Sequence, residues 1–433
     1  MDEKKDQNQE SNDPQEEQKE EEQYSFLQET IKKDTLASKK GVRKSIRIIC
    51  GGLLFGFCAC LGFFALKPWA QNMFQGNPDA VTIPADEDVQ GDSEDVLLED
   101  EAAQVLDGAS YQQLLEKVDA VASSASKSVV AVQSSAVNAD AEITDEEAET
   151  EAVKSEAGLI VADNGQELLI LTASSVISEN ADLTVKFSNN ATYAAALKKQ
   201  DKNLGLAIIS ISRNEISGDT WGAIAVASLG NSRVVYQGDL TIALGNTYGY
   251  AGGQGYGIIS STEYKAELSD GNCGILATDI ATTEKGTGIL FNLEGEVIGI
   301  IMPGIWENES GLLANAYAIS DLKTAIELLS NGAGVPYVGI HGTYITEELS
   351  QEQSIPQGIY VNQVDTDSPA MSAGIQSGDV ILKVGATDIT SLEAYERAVI
   401  GKTVGGNVKV KAQRRGNNGY VDIDFNVKIG SLE

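Results

Sequence analysis

Histidine is almost absent from this 433-residue sequence, which contains His341 and no other. A metal site built on several histidines is therefore excluded, and a Ser-His-Asp triad would have to include His341. Cysteine is also scarce. Cys50, Cys58 and Cys60 share one apolar run, and Cys273 is the fourth. Neither a disulfide framework nor a cysteine-type zinc site can form outside that run, so no metal is predicted.

Basic residues are also few. The sequence has 31 Lys and Arg and 64 Asp and Glu, which gives a net charge of −33. A nucleic-acid-binding surface needs a basic footprint that neutralises phosphates, so this balance argues against nucleic acid as a partner. The glycine-rich run at residues 252–257 (GGQGYG) lacks the strand-to-helix context of a dinucleotide site. We interpret it as a flexible loop between strands, and no cofactor is predicted.

One long apolar run, residues 48–66, carries no charge and suits a single membrane-spanning helix, predicted at residues 46–68. Five basic residues at positions 39–47 precede it and only Lys67 follows closely, which predicts a cytoplasmic N-terminus and extracytoplasmic C-terminal domains. A cleaved signal peptide is the alternative, but the preceding segment is too long and no small-residue cleavage site follows. The sequence therefore predicts a single-pass protein of the cell membrane.

Acidic, polar segments flank that run. Residues 1–45 are expected to form a disordered cytoplasmic tail, because they begin with a Glu- and Gln-rich stretch that holds almost no apolar residues. Residues 69–110 are expected to form an acidic extracytoplasmic linker. Ten acids and no Lys or Arg lie between positions 86 and 107, so the negative charges along this segment repel one another.

From residue 111 the pattern changes to that of a folded, mainly β protein. Helical spacing at residues 111–125 precedes many short β-type runs, among them GLIVA, LLILTA, DLTIALG and EVIGIIM. Turns rich in Asn, Gly, Asp and Ser separate these runs every 8–15 residues, which favours a sandwich or barrel over βαβ units. A helix is predicted at residues 319–329, and residues 337–433 carry strand and helix signals of their own.

Five stretches in a fixed order resemble one protein family. They are residues 170–177 (ILTASSVI), 201–209 (DKNLGLAII), 235–249 (VYQGDLTIALGNTYG), 292–300 (NLEGEVIGI) and 316–319 (AYAI). Their order is similar to that of the HtrA-type (high-temperature-requirement) serine proteases, which join a chymotrypsin-like double β-barrel to a PDZ domain. The resemblance implies a trypsin-like protease or pseudoprotease domain at residues 111–334 and a PDZ domain at residues 335–433.

The residues that the family uses for catalysis are replaced here. Ser175 stands where the resemblance places the histidine, and Gly205 where it places the aspartate. Within residues 283–290 (TEKGTGIL), alignment from the left puts Thr287 at the nucleophile position, and alignment from the right puts Gly286 there. A hydroxyl is inert without a nearby base of suitable pKa, so no catalytic residue is predicted. A Thr287–Lys285 pair is the alternative.

The last domain resembles bacterial PDZ domains in residues 337–345 (YVGIHGTYI), 368–375 (SPAMSAGI) and 378–381 (GDVI). A PDZ domain adds a peptide strand to a sheet edge while loop amides hold the terminal carboxylate. The resemblance implies that an apolar peptide end binds at Tyr337, Val338, Gly339, Ile340, His341, Gly342 and Tyr344.

The sequence thus predicts a membrane-anchored, HtrA-like pseudoprotease that binds C-terminal or unfolded segments of envelope proteins as a scaffold, chaperone-like factor or regulator. Two alternatives stay open. One is an endopeptidase of altered chemistry that uses Thr287 in envelope protein quality control. The other is a structural tether that acts through the PDZ domain. The resemblance also implies a homotrimer formed by the barrel domain.

Overall fold

The structure, a computed structural model, describes residues 78–86, 108–136, 154–178, 181–305 and 312–433. The predicted membrane-spanning run, the cytoplasmic tail and most of the acidic linker lie outside these residues. Among the helices that the structure describes, none is both long enough and apolar enough to cross a membrane.

Helix α1 (Gly108–Ala125) leads into a first closed barrel with the strand order β1-β2-β3-β6-β5-β4. The strands are β1 (Val129–Ala136), β2 (Lys154–Asp163), β3 (Glu167–Ala173), β4 (Ala181–Lys186), β5 (Thr192–Asp201) and β6 (Leu206–Ser212). Side chains alternate along each strand, so Ile160, Ile170 and Ile209 fill the interior of the barrel. Their neighbours Leu159 and Leu171 face outward and are still fully buried, because they belong to a core shared with the second barrel.

The second closed barrel follows a short helix, α2 (Gly218–Ala223), and has the order β10-β11-β12-β9-β8-β7. Its strands are β7 (Leu240–Asn246), β8 (Gly253–Leu268), β9 (Gly271–Ala281), β10 (Thr287–Phe291), β11 (Val297–Ile301) and β12 (Leu313–Ala318). Helix α3 (Ile319–Ser330) then buries one apolar face, including Leu322 and Ile326, in the core shared by both barrels. The predicted mainly β double barrel is confirmed.

The interpretation of residues 252–257 as a loop is wrong, because β8 begins at Gly253. A side chain at Gly255 would place its Cβ 2.3 Å from the Tyr248 hydroxyl, and one at Gly257 would place it 2.1 Å from Asp279 Oδ1. The alternate glycines therefore mark a strand that packs closely under neighbouring side chains, rather than a flexible connection.

The C-terminal domain is a sheet with the order β13-β14-β15-β17-β18 and three helices. Its elements are β13 (Ile340–Ile345), α4 (Glu347–Gln353), β14 (Gly358–Val364), α5 (Pro369–Ala373), β15 (Val380–Val384), β16 (Thr387–Asp388), α6 (Leu392–Ile400), β17 (Asn407–Gly416) and β18 (Gly419–Lys428). Ser368 caps α5 by accepting the Met371 amide at 3.1 Å, and Gly374 ends it with a φ of +89°. These two roles account for the SPA..AGI pattern.

Residues 78–86, part of the predicted linker, lie along helix α3. The Val81 amide donates to Asn331 Oδ1 at 2.9 Å, and the Ile83 amide donates to Glu327 Oε2 at 2.9 Å. Lys323 also forms an ion pair with Asp86. This stretch of the acidic segment is therefore part of the folded body.

Candidate functional site

Ser175 lies in a single helical turn, Ser174–Val176, that follows β3, and its side chain is exposed. Its hydroxyl donates to Glu156 Oε1 at 2.6 Å, while Lys154 Nζ donates to the Ser175 carbonyl at 3.3 Å. Burial raises the pKa of Glu156, against the opposing effects of the Ser175 hydroxyl and the Lys154 charge. The sequence analysis did not find Glu156, since only the folding of β2 beside this turn brings it to Ser175.

Gly205 contributes a backbone hydrogen bond to this region but has no side chain that could act in catalysis. Its carbonyl accepts the Ser174 amide at 2.8 Å, so the turns before β6 and after β3 stay joined. Its φ is +69°, in the left-handed region where a side chain is strained, and a Cβ there would lie 3.1 Å from Met302 Cε. The space beside this position is therefore partly taken by Met302.

Gly286 is enclosed on its side-chain face. A Cβ at this position would lie 2.1 Å from Thr282 Oγ1 and 2.5 Å from the Thr247 carbonyl oxygen. The Gly286 amide donates to the Thr283 carbonyl at 2.9 Å inside a tight turn. Neither a side chain nor a free backbone donor is therefore present at this position.

Thr287 begins β10 and is only 3% exposed. Its hydroxyl oxygen accepts the backbone N–H of Ala157 on β2 at 2.9 Å. Lys285 is exposed in the preceding turn, whereas Thr287 faces the junction of the two barrels. The Thr287 hydroxyl thus serves as an acceptor between two strands.

Strand β2 connects these positions, and beside it lies a cavity of about 320 Å³ between the barrels. Asn246 donates to the Ser155 carbonyl at 2.7 Å, next to Glu156 and Ala157. Glu156 Oε2 and Asn246 Oδ1 are buried without a hydrogen-bond partner among the described residues, and both side chains line the cavity. Two acceptor oxygens therefore lie unsatisfied in the wall of the cleft.

A second candidate site is the loop before β13. Gly339 has a φ of +89°, which turns the backbone so that successive amides face one point. The amides of Val338, Gly339 and Ile340 donate to the Asp270 carboxylate at 2.6, 2.8 and 3.2 Å. The side chains of Val338 and Ile340 are buried in the core of the C-terminal domain. The loop therefore holds a carboxylate that this chain itself supplies.

Asp270 lies in the turn between β8 and β9 of the second barrel and is buried. Tyr395 on α6 donates to Asp270 Oδ1 at 2.8 Å, and the Asp270 amide donates to the Ile340 carbonyl at 2.7 Å. Desolvation raises the pKa of Asp270 even though four donors oppose that shift, and it also raises the pKa of Tyr395. The sequence analysis did not single out this aspartate.

A polar cluster adjoins the loop around Asp365. Ser269 and Tyr337 donate to Asp365 Oδ2 at 2.5 and 2.7 Å, and His341 Nε2 lies 2.9 Å from Asp365 Oδ1. Burial acts to raise the pKa of Asp365, but hydrogen bonds from Ser269, Tyr337 and His341 outweigh it, so the pKa is lowered. Ser269 Oγ also lies 3.2 Å from His341 Nε2, so Asp365 and His341 together join the barrel turn to the C-terminal domain.

Two further residues of the predicted peptide site follow along β13. Gly342 pairs with Val361 beside a register shift, and a Cβ there would lie 2.4 Å from Ile359 Cγ2. Tyr344 is partly buried and packs against the domain core. Among the described strands β13 pairs only with β14, so its other side is a sheet edge.

Comparison with known proteins matches both folded parts. A family model for a trypsin-like peptidase domain matches residues 157–300, and a PDZ domain model matches residues 336–427. Serine protease Do-like HtrA of Lactococcus lactis subsp. lactis is 28% identical over 298 residues, which cover 64% of this chain and 71% of the relative. Serine protease Do-like HtrB of Bacillus subtilis is 30% identical over 281 residues, 60% of this chain and 59% of the relative.

Solved structures agree with this fold. The HtrA-type protease AlgW with a decapeptide has a TM-score of 0.52 and 19% identity, and the match covers 73% of this chain and 99% of that chain. AlgW with a tripeptide gives 0.52 and 20%, with 72% and 96% covered. The chain thus carries a trypsin-like double barrel and a PDZ domain in the arrangement of HtrA-type proteases.

Proposed function

We propose that this chain is a membrane-anchored, extracytoplasmic HtrA-like pseudoprotease. Its PDZ domain binds C-terminal or unfolded segments of envelope proteins, and its barrels act as a non-catalytic scaffold or regulator. The observation that carries the proposal is the state of the nucleophile position. Gly286 has no room for a side chain, and the Thr287 hydroxyl is buried against β2.

The groups around that position also support a non-catalytic role. The barrels contain no histidine, since His341 is the single one in the sequence and belongs to the PDZ domain. Ser175 does have a carboxylate partner in Glu156, but no aspartate stands at Gly205 to orient a base. The Gly286 amide is not available to stabilise an oxyanion, because it donates to the Thr283 carbonyl. Loss of triad members costs about 10⁴–10⁶ in rate in model proteases.

Peptide binding is supported by the PDZ match and by the bound decapeptide and tripeptide named for the AlgW structures. Convergent amides at residues 338–340 supply the donors that a terminal carboxylate needs. The relatives are named serine proteases, so an endopeptidase that uses Thr287 is the second candidate function.

A casein assay separates these two candidates. The full chain is incubated with fluorescent unfolded casein beside Thr287→Ala and Ser175→Ala variants, with Thr287→Ser as the control that keeps a hydroxyl. The proposal predicts no cleavage above that of heat-inactivated protein. Cleavage that is lost in Thr287→Ala and kept in Thr287→Ser would contradict the proposal and identify Thr287 as a nucleophile. Cleavage that is lost in Ser175→Ala would likewise contradict the proposal and show an active peptidase.

The membrane anchor is proposed from residues 48–66 and the basic residues before them. Alkaline carbonate should leave the full chain in the membrane fraction, and removal of residues 1–68 should release it. Extraction of the full chain by carbonate would contradict the anchor.

An array of C-terminal peptides then tests the tether alternative, which predicts no binding to any of them. Light scattering of the detergent-solubilised chain tests the proposed homotrimer.

A further inference from the structure

The turn between β8 and β9 reproduces what a PDZ ligand would do. Its Asp270 carboxylate receives the amides of residues 338–340, as a terminal carboxylate would. Its backbone amide also donates to the Ile340 carbonyl at 2.7 Å, which is the type of contact that an added strand makes with β13. The turn therefore occupies the loop amides and the β13 carbonyl that would bind the last residue of a peptide.

The same turn fills the space between β13 and helix α6. On the α6 side, the Asn272 amide donates to Glu396 Oε1 at 2.7 Å, and Tyr395 donates to Asp270. Gly271 lies so close to α6 that a Cβ there would be 2.5 Å from Glu396 Cγ. A peptide strand would occupy this same space, so the turn and a peptide exclude each other.

The turn is also held from the barrel side. Asn203 exchanges two hydrogen bonds with the backbone of Ser269, at 3.0 and 3.1 Å. Asp270 itself has a φ of +65°, in the left-handed region that aspartate enters more readily than most residues other than glycine. Contacts from both domains thus fix the aspartate in place.

We propose that Asp270 is an internal ligand of the PDZ carboxylate loop, and that peptides bind only when the β8–β9 turn withdraws from the groove. The inference rests on the peptide-binding function proposed above and adds its regulation. Because the turn and the peptide compete, the apparent dissociation constant equals the intrinsic one divided by the fraction of molecules with an open groove. Weakening the Asp270 contact should therefore tighten peptide binding without changing any residue of the loop.

The test uses the full chain in detergent and a matched pair of variants, Asp270→Asn and Asp367→Asn. Both aspartates have a positive φ, which asparagine tolerates, but Asp367 is exposed. The probes are four fluorescein-labelled decapeptides that end in Val, Ile, Leu or Phe with a free carboxylate, and their C-terminally amidated forms. Fluorescence anisotropy reports binding, and hydrogen exchange of the amides at residues 338–340 reports opening without any peptide.

The expected result is faster exchange at residues 338–340 in Asp270→Asn and about tenfold or greater tightening for at least one free-carboxylate peptide. Asp367→Asn should match the wild type in both measurements. Unchanged exchange, or unchanged affinity for a peptide that the wild type binds, overturns the internal ligand and leaves the proposed function standing. Faster exchange with no peptide bound by any form supports the internal contact and contradicts the peptide-binding function.

Discussion

Thr287 accepts a hydrogen bond from the backbone amide of Ala157 at 2.9 Å, and this contact joins β10 of the second barrel to β2 of the first. The residue that one alignment places at the nucleophile position is therefore a buried connection between the barrels. Its hydroxyl has a structural role that can be tested apart from any catalysis.

The Thr287 contact predicts a graded loss of stability. Thr287→Ala removes the acceptor and leaves the buried Ala157 amide unsatisfied, so the free energy of unfolding should fall by about 1–3 kcal/mol. Thr287→Ser keeps the hydroxyl and should lose only about 1 kcal/mol for the missing methyl group. Urea unfolding measures both. An alanine variant as stable as the wild type would show that the hydroxyl does not bridge the barrels.

The enclosed position of Gly286 predicts that a serine cannot simply be restored there. Gly286→Ser forces its Cβ against Thr282 and the Thr247 carbonyl, and overpacking of this kind costs about 1–3 kcal/mol. Gly222→Ser on α2 is the control, because no atom lies within 4 Å of the Cβ built there. Thermal melting should show a lowered midpoint for Gly286→Ser alone, and equal midpoints would contradict the packing at Gly286.

Tyr395 predicts a partial opening of the groove. Tyr395→Phe removes one donor to the Asp270 carboxylate, and a hydrogen bond to a charged group contributes about 1.5–3 kcal/mol. Amide exchange at residues 338–340 should accelerate by less than in Asp270→Asn, since three amides still hold the carboxylate. Tyr236→Phe, at an exposed tyrosine, serves as the control. Exchange equal to that of the control would mean that Tyr395 does not hold Asp270.

The raised pKa of Glu396 predicts that the peptide groove opens more readily at alkaline pH. Burial raises the pKa of Glu396 from 4.5 to about 7, with Glu393 and Asp321 adding to the shift and the Asn272 amide and Lys265 opposing it. The docked state therefore binds a proton more tightly than an open state whose carboxyl returns to its usual pKa. Docking is most favoured below pH 4.5 and loses this contribution as pH rises through about 7.

Peptide affinity of the wild type should accordingly increase between pH 5 and pH 8. Glu396→Gln should flatten that dependence, although the raised pKa of Asp270 acts in the same direction and keeps part of it. Titrations of peptide binding at several pH values provide the measurement. An affinity that falls with pH in the wild type would show that another group controls docking.

The sequence was sufficient where one short segment determines its own structure. Short β-type runs separated by turns rich in Asn, Gly, Asp and Ser predicted the strands of both barrels. Ser368, Pro369 and Gly374 carry the start and end of helix α5 in their local chemistry. The glycines of residues 253–257 misled the interpretation, because a strand rich in glycine is explained only by the side chains of Tyr248 and Asp279 that cross it.

The sites depended on contacts between distant segments. Asp270 reaches the carboxylate loop across about 70 residues of sequence, and Glu156 meets Ser175 only after β2 and β3 pair. No local pattern marks either acid, since a lone aspartate in a turn looks like ordinary turn chemistry. A search for acids at the tips of hairpins could have suggested Asp270, but only the fold gives it a partner.

The most direct test of the non-catalytic account is labelling of the full chain with a fluorophosphonate, which reacts with activated serine and threonine hydroxyls, followed by peptide mass spectrometry. The account predicts no adduct on Thr287 or Ser175 under conditions that label an active serine protease completely. A stoichiometric adduct on either residue would contradict the pseudoprotease and establish a working nucleophile.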